Sequence, residues 1–286
     1  MGIGLAFAGG GIRGIAHVGV LKALEENGIE VEAVAGTSAG SIVAALYAMG
    51  YKPYYIYVLF KKYAQDIINV GNGTIINGIG RLVRNKKIGI TGLNNGLLME
   101  KVYNELALKK GINVIGDIKM PLVIPAVDIS EAKEYIFTNC APRNNIKDEY
   151  ITEIEIGKAI RASSSFPAVF CPCEFKNHMF LDGGALDNIP VLPLKKVFNK
   201  KVIAVNFEAD KVEKDSDVMD IIMKTIDIMG NKISEKSLEQ VDLLLTVPTD
   251  RAGLFDIEKL DKCYKFGYDT VINNLDKIKK VAKEHQ

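Results

Sequence analysis

VEAVAGTSAGSIVAALYAMG, residues Val31 to Gly50, is the stretch from which the chain is read. A short apolar run passes through Gly36-Thr37-Ser38-Ala39-Gly40 into an alanine-rich helical run. The order is strand, sharp turn, helix, with a serine at the apex of G-x-S-x-G. In that context the motif is a nucleophile elbow, a strained turn that lifts a serine hydroxyl above the carboxyl end of a sheet. Gly36 and Gly40 lack a Cβ, so strand and helix can approach closely around a serine whose own backbone is unfavourable. A Gly-rich βα turn with Ser38 as a helix cap gives the same pentapeptide. A base and an oxyanion hole elsewhere in the chain would separate the two readings.

Upstream, Ile3 to Ala8 reads as a buried strand that ends in Gly9-Gly10-Gly11-Ile12-Arg13-Gly14. A helix follows from Ile15, with Ile15, Val18, Leu21 and Leu24 on one face, and Asn27-Gly28 stops it. Ile29 to Ala35 is then the second strand. Two βα units in succession predict parallel strands joined by right-handed crossovers. Gly9, Gly11 and Gly14 also spell G-x-G-x-x-G, the loop of a nucleotide-binding module. Such a module wants an acidic residue at the end of its second strand for the ribose. Here that strand ends in Ala35-Gly36-Thr37-Ser38, and Glu30 and Glu32 sit at its beginning. The same glycines have a better use. They expose N–H groups at a helix N-terminus, and loops after neighbouring parallel strands open on one edge. The glycine N–H groups can therefore face Ser38 and hold an oxyanion.

Downstream, Leu97 to Lys109 and Glu155 to Ser163 read as helices, the latter closing in Arg161-Ala162-Ser163-Ser164-Ser165-Phe166-Pro167. Those serines lack the elbow context. Pro121 to Val127, Lys133 to Thr138, Val202 to Phe207 and Leu243 to Val247 read as strands. Met219 to Met229 and Ile257 to Lys283 read as amphipathic helices. Phe180-Leu181 leads into Asp182-Gly183-Gly184, where an aspartate at a strand end can be approached closely by another loop. Residues 50–96 have a different texture, tyrosine-rich and then Gly/Asn-rich. A cap or lid over an apolar site is one reading, and an aromatic core segment with a surface excursion is the other. The cations Arg81, Arg84, Lys86 and Lys87 there read as a solvated face, with contact to anionic headgroups as the other option. No repeat or linker divides the chain, so a single domain over 1–286 is expected.

With 286 residues, 48% of them hydrophobic, the chain is long enough for a sizeable core. Its net charge of +1 argues against a nucleic-acid partner. Cys140, Cys171, Cys173 and Cys263 form no disulfide framework, and Cys171-Pro172-Cys173 has no histidine at zinc spacing. No basic n-region precedes an apolar leader, and no apolar run reaches the roughly 18 residues of a spanning helix. A cytoplasmic protein with at most peripheral membrane contact is the expectation.

Ser38 needs a base, and the chain has only three histidines. His285 lies in the tail, His17 sits one turn into the first helix, and His178 precedes Asp182 by a hairpin turn. Only His178 suits a triad. A carboxylate acting directly on the serine is the leading option, its ordinary pKa of about 3.9 raised by partial desolvation in an apolar cleft.

Three motifs now stand in one order: Gly9 to Gly14, Gly36 to Gly40, and Asp182-Gly183-Gly184. Together they resemble the signatures of patatin-like phospholipases, with support from His17 to Leu24, Arg161 to Pro167 and Asp187-Asn188-Ile189-Pro190. The resemblance covers roughly Ile3 to Pro193. It implies a three-layer α/β/α sandwich with a mostly parallel central sheet and a Ser-Asp lipid acyl hydrolase acting on a lipid or acyl-ester substrate. Carried across, Ser38 is the nucleophile, Asp182 the general base, and the N–H groups of Gly10, Gly11 and Ile12 the oxyanion hole. Arg13 takes the family's basic position, ordering the loop or attracting phosphate. Phe166 stands where many relatives carry a smaller aliphatic residue. No metal and no cofactor are expected. An acyltransferase or thioesterase using the same dyad is the alternative within enzymes, and a lipid-binding relative without turnover is a further one.

Overall fold

The apolar runs become the strands of a nine-stranded sheet in the computed structural model, which describes residues 2–62, 64–65, 92–142, 149–208, 218–253 and 256–283. At its centre β1 (Gly2–Phe7) is buried along its whole length, because helices cover both of its faces. The order across the main path is β11 (Leu243–Val247), β10 (Val202–Phe207), β1, β2 (Glu30–Gly36), β4 (Leu122–Asp128), β5 (Lys133–Thr138) and β6 (Tyr150–Ile151). Neighbours from β11 through β4 run parallel. The β4–β5 hairpin is antiparallel, as is β9 (His178–Asp182) on β4 and β8 (Cys173–Phe175) on β9. β3 (Gly92–Asn94) and β7 (Ala168–Phe170) pair outside this sheet.

Crossover handedness sorts the helices into two layers. The connections from β1 to β2 and from β2 to β4 move one way across the sheet, through α1 (Ile15–Glu26) and α2 (Ala39–Ala48). That from β10 to β11 moves the other way, through α7 (Val218–Leu238), on which α6 (Val191–Val197) packs. Right-handed crossovers of opposite direction put their helices on opposite faces. Accordingly α1 packs with α2 and with α8 (Leu260–Asn273). Helix α3 begins at residue 53 after α2, and α4 (Leu97–Leu108) packs on α5 (Ile156–Ser163). The expected α/β sandwich with a mostly parallel sheet is the fold observed.

Two helices differ from their expected extents. The run from Ile257 to Lys283 is not one helix: a 3-10 turn (Ile257–Lys259) precedes α8, and α9 (Leu275–Lys283) follows a break at Asn274. Asn274 leaves helical geometry at φ −116° and ψ 14°, and its side-chain amide donates to the Thr270 carbonyl at 2.9 Å. Asparagine favours this local bond over continuing the helix. α7 runs nine residues past Met229, through Gly230, to Leu238. A Cβ at Gly230 would lie 2.5 Å from the Gly184 carbonyl, so packing outweighs the poor helix propensity. Most of the cap or lid segment, with Arg81, Arg84, Lys86 and Lys87, lies outside the described residues.

Glu134 on β5 and Asp187 after β9 are two carboxyls that burial pushes towards the neutral form. Burial pushes Glu134 up to about 7, against the pull of Lys196. Burial and then the Glu134 charge push Asp187 well above its ordinary value. Between about 4.5 and about 7 the native Glu134 keeps a proton that the unfolded chain has lost. Stability present below that window therefore falls as pH rises through it. Glu134→Gln cannot ionise, so it is expected to raise the urea midpoint at pH 8 and to leave it nearly unchanged at pH 4.5. An equal shift at both would contradict the buried-acid account.

Candidate active site

Ser38 stands between β2 and α2 with φ 53° and ψ −123°, a left-handed conformation that costs a non-glycine residue about 1–3 kcal/mol. The turn is held from several sides. Ser41 donates to the Ser38 carbonyl through its N–H at 2.9 Å and its hydroxyl at 2.6 Å. The Thr37 hydroxyl, fully buried, donates to the Asp187 carbonyl at 2.8 Å. A Cβ on Gly36 would collide with the Gly40 carbonyl, and one on Gly40 would lie 2.6 Å from the Phe7 carbonyl. Both glycines are therefore sterically required.

Asp182 reaches the elbow through the sheet register. β5 occupies one edge of β4 over residues 123–128, so β2 and β9 must share the other. β2 pairs with Leu122 and Val123 and then stops, whereas antiparallel β9 pairs with Asp128 back to Ala126, where Asp182 stands. Their C-terminal ends thus meet beside Pro125. A Cβ on Gly183 would lie 2.5 Å from the Pro125 carbonyl and 3.1 Å from Thr37 Cγ2. Asp182 is 4% exposed, and its Oδ1 accepts the Gly184 N–H at 2.9 Å.

β1 and β2 are parallel neighbours, so the glycine loop opens beside the elbow. A Cβ on Gly9 would lie 3.2 Å from Ser38 Cβ, and one on Gly14 would lie 2.7 Å from Ala39 Cβ. Gly11 has φ 57° and opens a 3-10 turn, Gly11–Gly14, that runs into α1. Gly10, Gly11 and Ile12 sit at that N-terminal turn. Arg13 folds back rather than outward: its Nε donates to the Gly10 carbonyl at 3.1 Å, and its guanidinium lies over Phe207.

The histidines stand elsewhere. His17 is fully buried between the rings of Phe7 and Phe207, and its Nε2 donates to the Ala8 carbonyl at 2.8 Å. Burial lowers its pKa to about 4, which keeps it neutral. His178 opens β9, about 13 Å from Asp182 at roughly 3.3 Å per residue, and its Nδ1 pairs with Asp128 Oδ2 at 2.5 Å. Among the described residues Asp128, Glu131 and His178 bring ligating atoms within 4.8 Å of one another. Their internal bonds explain the cluster. Ser130 caps Asp128 Oδ1 with its N–H at 2.7 Å, and the Tyr135 hydroxyl donates to Glu131 at 2.8 Å. These contacts clamp the β4–β5 turn onto β9.

The segment Arg161 to Pro167, which the sequence marks only as a support of the family resemblance, also touches the site. Ser163 Oγ accepts the Ser38 N–H at 3.1 Å, and the Ser165 carbonyl accepts the Asp182 N–H at 3.1 Å. Ser163 and Ser165 are fully buried and Ser164 is 6% exposed, which leaves none of them open as a rival nucleophile. Asn188 is also near, its Oδ1 against Gly9 and its carbonyl accepting the Gly9 N–H at 3.2 Å. Three serines closing a helix carry no local signal of this role. The assembly offers a strained hydroxyl, a buried carboxyl and a helix N-terminus on one sheet edge, the groups an acyl transfer needs.

A patatin-like phospholipase family model matches residues 5–195. Lysophospholipase NTE1 of Candida albicans is 34% identical over 208 residues, 71% of this chain and 13% of its own length. The Bacillus subtilis protein YqhO is 31% identical over 207 residues, 70% of this chain and 69% of its own. The chain thus spans only about an eighth of the fungal NTE1 relatives. VipD from Legionella pneumophila has a similar structure, with TM-score 0.52 at 14% identity over 96% of this chain and 66% of that one. ExoU in its heterodimeric complex with SpcU from Pseudomonas aeruginosa gives 0.50 at 20% identity, over 96% of this chain and 51% of that one. At such identities the likeness is one of fold.

The positive φ at Ser38 has a measurable consequence. Ser38→Gly relieves the left-handed strain and Ser38→Ala does not, so the glycine variant should be the more stable of the two by about 1 kcal/mol in urea denaturation. A more stable alanine variant would contradict the strained turn.

Proposed function

The chain belongs to the patatin-like phospholipase family, a family of ester hydrolases, and on that premise we propose that it is a serine lipid acyl hydrolase with a Ser38/Asp182 dyad. Its substrate class is a fatty-acyl ester of a phospholipid or lysophospholipid. What carries the reading is the head-on approach of the elbow and the Asp182 strand end along one edge of β4. Asp182 takes the Ser38 proton as the hydroxyl oxygen attacks the ester carbonyl. The N–H groups of Gly10, Gly11 and Ile12 receive the oxyanion, each such donor being worth about a hundredfold or more in rate. The protonated Asp182 gives its proton to the leaving alcohol, and water then deacylates Ser38 with Asp182 again as base. Arg13, bonded to the Gly10 carbonyl, orders the oxyanion loop. Among the described residues no helix is long and apolar enough to cross a membrane.

A dyad and a triad differ in one experiment. Asp182→Asn is expected to lower kcat on a lysophospholipid about a thousandfold, within the range of general acid–base loss, while thermal stability is kept. His178→Ala is expected to stay within about threefold of the parent. Loss with His178→Ala and retention with Asp182→Asn would restore a triad.

A further inference from the structure

The three serines that close α5 tie both halves of the proposed dyad to one short piece of chain. Ser163 Oγ accepts the N–H of Ser38 itself at 3.1 Å. Two residues on, the Ser165 carbonyl accepts the N–H of Asp182 at 3.1 Å. The segment is itself stiff. The Ser165 hydroxyl donates to the Arg161 carbonyl at 2.8 Å, and Ser164 and Ser165 bond back through their N–H groups to Ile160 and Ala162. α5 is anchored in turn by the Arg161–Glu100 ion pair at 2.8 Å, only 10% and 14% exposed, which fastens it to α4. A run of contacts therefore leads from Glu100 through α5 to the main chain of both candidate catalytic residues.

From these contacts we propose that Ser163 is a positioning residue, its hydroxyl oxygen fixing the main chain of Ser38 in the attacking geometry. The proposal rests on the dyad reading above. The physical reason is specific to the turn. Ser38 has a backbone conformation that it would leave if released. Its N–H points inward at the fully buried Ser163, where an unsatisfied donor is costly. Ser163 satisfies that donor only while Ser38 keeps its strained conformation, so one bond both feeds and enforces the elbow. The neighbouring Ser164 hydroxyl is buried with no hydrogen-bond partner among the described residues, which makes it a natural control.

Substitution at 163 separates positioning from bulk. Ser163→Thr and Ser163→Val share a shape and differ in the acceptor oxygen alone. The readouts are the rate of Ser38 phosphonylation by a long-chain fluorophosphonate, kcat and KM on a lysophospholipid, and the thermal midpoint. Misplacement by about an ångström can cost on the order of a hundredfold in rate. Ser163→Ala and Ser163→Val are expected to slow phosphonylation and kcat about 10- to 100-fold, with KM within about threefold of the parent. Ser163→Thr should recover most of the rate, and Ser164→Ala should match the parent. If Thr and Val at 163 behave alike, or Ser163→Ala labels at the parental rate, Ser163 has no positioning role. If the parent protein is not phosphonylated at Ser38, the hydrolase reading fails and this role goes with it.

Discussion

Two strands can share one strand edge only if each stops before it meets the other, and at β4 both stop beside Pro125. β2 leaves the edge after Val123, and β9 arrives from the opposite direction and ends at Ala126. A proline inside a strand lacks the donor a ladder needs, so it belongs where no acceptor waits. The N–H and C=O of one strand residue point to the same side, and the Pro125 carbonyl faces Gly183. Its missing N–H therefore faces the gap between the two strand ends. That gap brings Thr37 against Gly183, and the proposed pairing of their neighbours Ser38 and Asp182 depends on it.

The second constraint is strain. Ser38 is held left-handed by bonds to its carbonyl from Ser41, to its N–H from Ser163 and, one residue earlier, from Thr37 to the Asp187 loop. The same 187–188 loop receives the Gly9 N–H, so glycine loop, elbow and Asp182 turn lean on one another. Such mutual support keeps an unfavourable conformation populated, and it also presents a hydroxyl without further rearrangement. Asp187 in this loop and Glu134 on β5 are both held towards the neutral form by burial, so stability falls as pH rises.

Local chemistry in the sequence foreshadowed much of this. The strands at Lys133–Thr138, Val202–Phe207 and Leu243–Val247 match their expected bounds residue for residue, β10 as a nearly continuous buried run and the edge strand β11 with Leu244 and Thr246 exposed. The elbow was legible because its two glycines answer steric demands within five residues. The approach of Asp182 was not, since Asp182-Gly183-Gly184 reads equally well as a turn and its meaning lies in pairing with Ala126. Pro125 on its own argues against a central strand. Ser163 stayed hidden for the same reason, its partner being 125 residues away. The break at Asn274 and the extension of α7 through Gly230 show the two opposite failures, a side chain ending a helix that periodicity continues and packing continuing one that propensity ends.

The central claim is geometric: one hydroxyl, one carboxyl and one row of N–H groups converge at the elbow that follows β2. A crystal structure of the protein phosphonylated by a long-chain fluorophosphonate tests it most directly. The account predicts phosphorus on Ser38 Oγ, the phosphoryl oxygen within hydrogen-bond distance of the Gly10, Gly11 and Ile12 N–H groups, and the Asp182 carboxyl beside Oγ. Phosphorus on another serine, or an adduct whose phosphoryl oxygen turns away from the glycine loop, would contradict it.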